Sequence, residues 1–384
     1  TTKIMTVWLG LTMADKETKV IVSENAVNVA EDESTAKLAA GEEMRLIDLM
    51  YAAMMLSGND AATAIAEGIA GSVDNYCYYM NQAAMALGCK NTHFVNANGL
   101  TDANHFSTAR DLAIITRVAM QNSTFRQIVG TTSYTIPKDN IYRSREIQTG
   151  VKFILPAEKE SGTYYEYATG VKTGTTSAAG RCFVASASKD GVTLIAVMLG
   201  CTTDKARYTD AIKLMDYGFS QYTSTSIAEI YAMNPKVIDI QSFALDDPEV
   251  GRLELKLRQV DKNVHDLVVT SNDKLEYWKQ NFNDITVTTY TRPFRAPIEA
   301  GEVMGTLTYY PEDGASPVVY ELLASRSVAA REQLIPTIAQ IITNAENDPN
   351  PFPRITFELI FLHLILPAFG ICLLVKVLKF LRSK

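Results

Sequence analysis

Apolar residues recur at helical spacing from the first turn of the chain. Ile4, Met5, Trp8, Leu9 and Leu11 share one face at a period of three to four residues, which predicts a helix. The stretch EEMRLIDLMYAAMMLSGNDAATAIAEGIAG reads as a helix, a short break and a second helix ending on small residues. DNYCYYMNQAAMALG predicts a third helix, with Gly88 as its C-terminal cap. STARDLAIITRVAM predicts a fourth, with Ser107 and Thr108 as candidate N-caps. The pattern then switches period. RCFVASASKDGVTLIAVMLGC reads as two strands around a Lys189-Asp190-Gly191 turn, and DKARYTDAIKLMDYGFSQY as a helix packed back on them. Helices layered on antiparallel strands predict an α/β fold.

After TSTS, Thr223 to Ser226, the character changes. LELKLRQV, HDLVVT, DITVTTY and VMGTLTYY are short β-type runs punctuated by Asp, Asn, Gly and Pro. They predict a small all-β domain. A helical segment follows in ASRSVAAREQLIPTIAQIIT, then NAENDPNPFPR, whose Pro349, Pro351 and Pro353 suggest an extended stalk. The expected divisions are a first domain over 1–224, a β-rich domain over 227–322, helix and stalk over 323–354, and a tail over 355–380. That tail includes Leu359 to Val375, seventeen residues without a formal charge, followed by Lys376, Lys379, Arg382 and Lys384. Being apolar all round, it is expected to span a membrane and not to lie in its plane. The basic cluster would stay cytoplasmic and the body of the protein outside. A buried core helix carrying His363 and Pro367 is the competing reading.

Composition narrows the function. The 384 residues carry Lys+Arg 36 against Asp+Glu 43, a net charge of -7, which lacks the basic footprint that a nucleic-acid partner requires. The five cysteines form no CxxC pair, and the four histidines show no metal-ligand spacing. No metal, cofactor or disulfide framework is expected.

Three short strings carry the chemistry: TTK at Thr1 to Lys3, SGN at Ser57 to Asn59, and KTG at Lys172 to Gly174. Alone, each reads as a surface lysine, a helix break and a turn. Their order and setting change that: the first opens an apolar helix, the second lies between helices, and the third enters a hairpin strand. With these strings the chain resembles the penicillin-recognising serine peptidases, in particular the low-molecular-mass D-alanyl-D-alanine carboxypeptidases, whose set is S-x-x-K, S-D-N and K-T-G. GVKTGTTSAAGRCFVASASKDG, THFVNANGLTDANHFSTARDLA and APIEAGEVMGTL extend the resemblance almost to the stalk. S-G-N replaces S-D-N and keeps both functional side chains.

The resemblance implies a serine immediately before Thr1, so the sequence is expected to begin just after its nucleophile. Residues three apart on a helix share a face, which would set the Lys3 amine beside that hydroxyl. Burial, the positive helix end and a second cation at Lys172 all disfavour a charged Lys3, which suits a base. By resemblance, Ser57 relays a proton toward the leaving amine and Asn59 orients the substrate backbone. Lys172 and Thr173 would bind the substrate carboxylate, and Gly174 would let the substrate lie against the strand. The oxyanion hole would use the N–H groups of the serine and of Thr175.

His105 is read as a packed or loop histidine, Arg110 and Asp111 as a structural pair, and Tyr164, Tyr165 and Tyr167 as strand packing or cleft lining. The implied function is removal of the terminal D-alanine from peptidoglycan stem peptides through an acyl-enzyme, with β-lactams as inhibitors. A serine β-lactamase is the enzyme alternative, disfavoured by the lack of an E-x-x-L-N-like string. A non-catalytic wall-binding protein is the other.

Overall fold

The structure is a computed structural model that describes residues 1–312 and 314–332, with single positions 343, 370 and 376 beyond them. Among the described residues its contacts define two units, one of residues 1–234, 259–288 and 307–319, the other of 235–258, 289–306 and the described residues from 320 on.

The first unit is built around the helix Lys3–Met13, whose Ile4, Val7 and Thr6 are fully buried. Gly10 lets neighbours close on it: a Cβ there would fall 2.8 Å from Met50 Cε. Met50 belongs to Leu46–Met55, a helix buried at every position, and Asn59–Ala70 follows after a short break. A helix buried all round sits inside a layer and not on a surface. Gly88 takes the left-handed conformation (φ 80°) just past the helix Val73–Ala86, as expected of a helix terminator. Thr108 caps Ala109–Ala119 by accepting from Asp111 N.

A three-stranded antiparallel sheet, Ala168–Thr176, Gly180–Lys189 and Val192–Cys201, stands beside the helices. Its hairpin turns at Asp190 and Gly191, both with positive φ (48° and 79°). Strand alternation divides the core. Val171 and Val184 pack with the helical layer, whereas Phe183, Ala185 and Ala187 pack on the other face with Tyr208, Ala211 and Met215 of the helix Asp204–Gln221. The expected α/β layering with antiparallel strands is therefore present.

The later part of the chain carries a five-stranded sheet in the order Thr286–Tyr290, Val303–Tyr309, Val318–Ala324, Arg252–Gln259, Val237–Asp239. The expectation of an all-β stretch needs correction. Helices occur at Ile227–Met233, Asn272–Gln280 and Phe282–Ile285. The first begins in a capping box between Ser226 and Glu229. Leu267–Ser271, expected in the β domain, pairs instead with Tyr222–Ser226, so the TSTS string lies on a strand. The helix expected from Ala324 does not start there. Ala324 ends a strand, and Val328 and Ala330 form isolated bridges with Ile298 and Phe243. Among the described residues no helix is long and apolar enough to cross a membrane. Apart from positions 370 and 376, the expected span over 355–380 lies outside the described residues, as does the stalk.

Candidate active site

Lys3 is the first residue of its buried helix, and the turn before it is already helical: Ile4 N donates to Thr1 O at 3.1 Å and Met5 N to Thr2 O at 2.9 Å. The side chain is 4% exposed, and its Nζ donates to Asn59 Oδ1 at 2.6 Å and to the Asn98 carbonyl at 2.7 Å. Burial pushes its pKa down to about 7, and the Lys172 cation adds to the fall while Asp60 and Glu33 oppose it. A lysine with its pKa this low can both take and give a proton near neutrality.

Ser57 and Asn59 stand in the break between two helices. Ser57 adopts a left-handed backbone (φ 59°) that a residue with a Cβ enters at some cost. Its hydroxyl is half-buried and makes no hydrogen bond among the described residues. Asn59 N donates to Ser34 O at 2.8 Å, and the buried Asp60 accepts from Ala36 N at 2.8 Å and Leu38 N at 3.1 Å. The break is therefore fastened to the 34–38 segment.

Lys172, Thr173, Gly174 and Thr175 follow one another on the strand Ala168–Thr176, paired opposite Val184, Phe183, Cys182 and Arg181. Lys172 is 2% exposed and donates to Thr173 O at 2.9 Å. Burial pushes its pKa down to about 8, helped by the Arg207 guanidinium. Gly174 faces the start of the chain: a Cβ on it would come within 2.7 Å of Thr1 N. The strand and the first helical turn meet there in backbone contact.

The structure joins Lys3 and Asn59 by a direct hydrogen bond and brings Gly174 against Thr1, whereas Ser57 makes no bond to either lysine. Three contributors escaped the sequence reading. Asn98 supplies only a carbonyl, Glu33 accepts from Asn59 Nδ2 at 2.8 Å, and Arg207 donates to Thr175 Oγ1 at 3.2 Å while pairing with Asp204. The Glu33 and Asn98 contacts join residues far apart in the chain, and no local pattern signals them.

His105 is a packed histidine. Val95 N donates to its Nδ1 at 3.2 Å, which leaves Nε2 to donate to Thr2 Oγ1 at 2.8 Å. Burial pushes its pKa down to about 4. Asp111 is not paired with Arg110. Its buried carboxylate accepts from Asn91 N and Thr92 Oγ1, both at 2.8 Å, whereas Arg110 is exposed. Tyr165 stacks on Phe153 and donates to Asp216 at 2.8 Å, and Tyr167 sits edge-on to Phe219, so both pack the sheet. Among the described residues no cluster of His, Cys, Asp and Glu could hold a metal ion.

A buried lysine with a lowered pKa, an amide bonded to it and a glycine-bearing strand with a second buried lysine thus lie together around the start of the chain. Known proteins offer a comparison. The profile of a family described as D-alanyl-D-alanine carboxypeptidase matches residues 1–203. The D-alanyl-D-alanine carboxypeptidase DacF of Bacillus subtilis is 31% identical over 339 residues, covering 87% of this chain and 78% of its own. The D-alanyl-D-alanine carboxypeptidase of Streptomyces sp. K15 is 36% identical over 233 residues, covering 57% of this chain and 78% of its own. The crystal structure of the Streptomyces K15 DD-transpeptidase superimposes with a TM-score of 0.51 at 35% identity, over 57% of this chain and 86% of that one. That of DacD from Francisella tularensis gives 0.53 at 22% identity over 86% and 87%, a likeness of fold alone. On these grounds the chain belongs to the peptidase S11 family of D-alanyl-D-alanine carboxypeptidases.

Proposed function

We infer that the chain acts as a serine D-alanyl-D-alanine carboxypeptidase on peptidoglycan stem peptides, through an acyl-enzyme that penicillins also form. The observation that carries this is the burial of Lys3 between Asn59 Oδ1 and the Asn98 carbonyl, at the turn where Thr1 N meets Gly174. A residue bonded to Thr1 N would lie beside that strand, and the resemblance makes it a serine.

In this reading neutral Lys3 takes the proton of that serine hydroxyl, whose oxygen attacks the carbonyl carbon between the two D-alanines. Two N–H groups, from the serine and Thr175, hold the resulting oxyanion. The C–N bond then breaks, the terminal D-alanine amine takes a proton relayed from Lys3 through Ser57, and the acyl ester remains. Water attacks that ester, giving its proton back through Lys3, and restores the serine. Lys172 and Thr173 bind the terminal carboxylate, and Asn59 orients the peptide backbone. The catalytic unit is placed outside the cytoplasm, with residues 355–380 as its membrane anchor, on the strength of the sequence alone.

The test is D-alanine release from a peptide ending in D-Ala-D-Ala, by the chain carrying a serine before Thr1. Multiple turnovers are expected. Binding without release would favour a wall-binding protein, and rapid penicillin hydrolysis would favour a β-lactamase. The Streptomyces K15 relative is named both carboxypeptidase and transpeptidase, so an amine acceptor should be offered beside water.

A further inference from the structure

Glu33 belongs to none of the three strings, yet it touches the site. The segment carrying it is held in place: Asn59 N donates to Ser34 O at 2.8 Å, and Asp60 gathers Ala36 N, Leu38 N and the Thr35 hydroxyl. Half-buried Glu33 thereby presents Oε2 2.8 Å from Asn59 Nδ2. The other end of the same amide, Oδ1, accepts from Lys3 Nζ at 2.6 Å. Only one amide orientation satisfies both neighbours. Turned over, Asn59 would set its N–H groups against the lysine donors and its oxygen against a carboxylate.

We propose that Glu33 is a positioning residue: its carboxylate fixes the Asn59 amide so that Oδ1 faces Lys3, leaving the second Nδ2–H for a backbone carbonyl of the bound peptide. The proposal rests on the carboxypeptidase reading above. A carboxylate accepts more strongly than a neutral group, so Glu holds the amide better than Gln would. Its charge acts at Lys3 as well. The charged groups facing Lys3 are Lys172 from the hairpin strand, Asp60 from the start of its helix, and Glu33. Lys172 favours the neutral amine and the two carboxylates oppose it. Removing the Glu33 charge therefore lets Lys3 lose its proton at lower pH.

The experiment is the second-order rate of penicillin acylation across pH, for the chain with its serine, for Glu33→Ala and for Glu33→Gln. Glu33→Ala should slow the peak rate roughly tenfold, the order expected for losing one hydrogen bond to a charged group. Glu33→Gln, matched in size, should recover most of that rate. Its acid limb should also move to lower pH, by about half a unit or more for one nearby charge. A Glu33→Ala peak rate equal to the parent's overturns the proposal, even if the variant melts at lower temperature. Failure of the unsubstituted chain to be acylated overturns the carboxypeptidase reading itself, and shows before any substitution is made.

Discussion

Lys3 enters the site from the helical layer and Lys172 from the hairpin sheet, and both are almost fully buried. Their surroundings differ. Lys3 has two acceptors, one of them a side chain that a carboxylate holds in turn, and opposing charges partly offset one another around it. Lys172 has a single backbone acceptor, and its charged neighbours, Arg207 and Lys3, are both cationic groups. The first arrangement suits a group that must give and take a proton, and the second suits a cation waiting for an anion. Burial alone therefore does not assign a role. The polar partners that remain after burial do.

Replacing the helical-layer lysine should have the largest effect. Lys3→Ala should lower acylation by roughly 10²–10⁴-fold, the range for loss of a general base, with circular dichroism unchanged. Gly174→Ala attacks the junction of the two regions. Its Cβ would press on Thr1 N at 2.7 Å and displace the first helical turn, for a loss of about 10²-fold in the same assay. Lys172→Met should raise KM for carboxylate-ended peptides roughly 10- to 100-fold. It should also move the acid limb of acylation to higher pH, because the cation that depresses Lys3 is gone.

The unsubstituted enzyme should show a narrow bell in kcat/KM. Activity rises as Lys3 loses its proton near 7 and falls as Lys172 loses its own near 8. A flat profile from pH 6 to 9 would remove the distinction between the two lysines. The smallest effect on the site should come from Met50→Ala. This change empties part of the helical core and should cost about 2–5 kcal/mol of stability, measured by denaturant unfolding, while acylation by the folded enzyme stays near the parent rate.

The candidate site residues were legible through the resemblance that the three strings carry together, since alone Lys3 reads as a surface lysine and KTG as a turn. Local rules gave the elements beneath them: periodicity found the apolar helix that Lys3 opens, and Asp190-Gly191 announced the hairpin. The partners of those groups were not legible. Asn98 offers a main-chain carbonyl that any residue carries, and Glu33 reaches Asn59 only because Asp60 fastens the loop between them. Sequence pattern reports which face a residue occupies, and not what lies across from it. The later region misled for a related reason. NDKLEYWKQ is a helix that buries only Trp278, so its apolar signal is weak.

The most direct test is to treat the chain carrying a serine before Thr1 with penicillin and map the adduct by peptide mass spectrometry. The account predicts one covalent adduct, on that serine, absent from Lys3→Ala under the same conditions. An adduct on Ser57 or any other residue, or none on a folded protein, would contradict it.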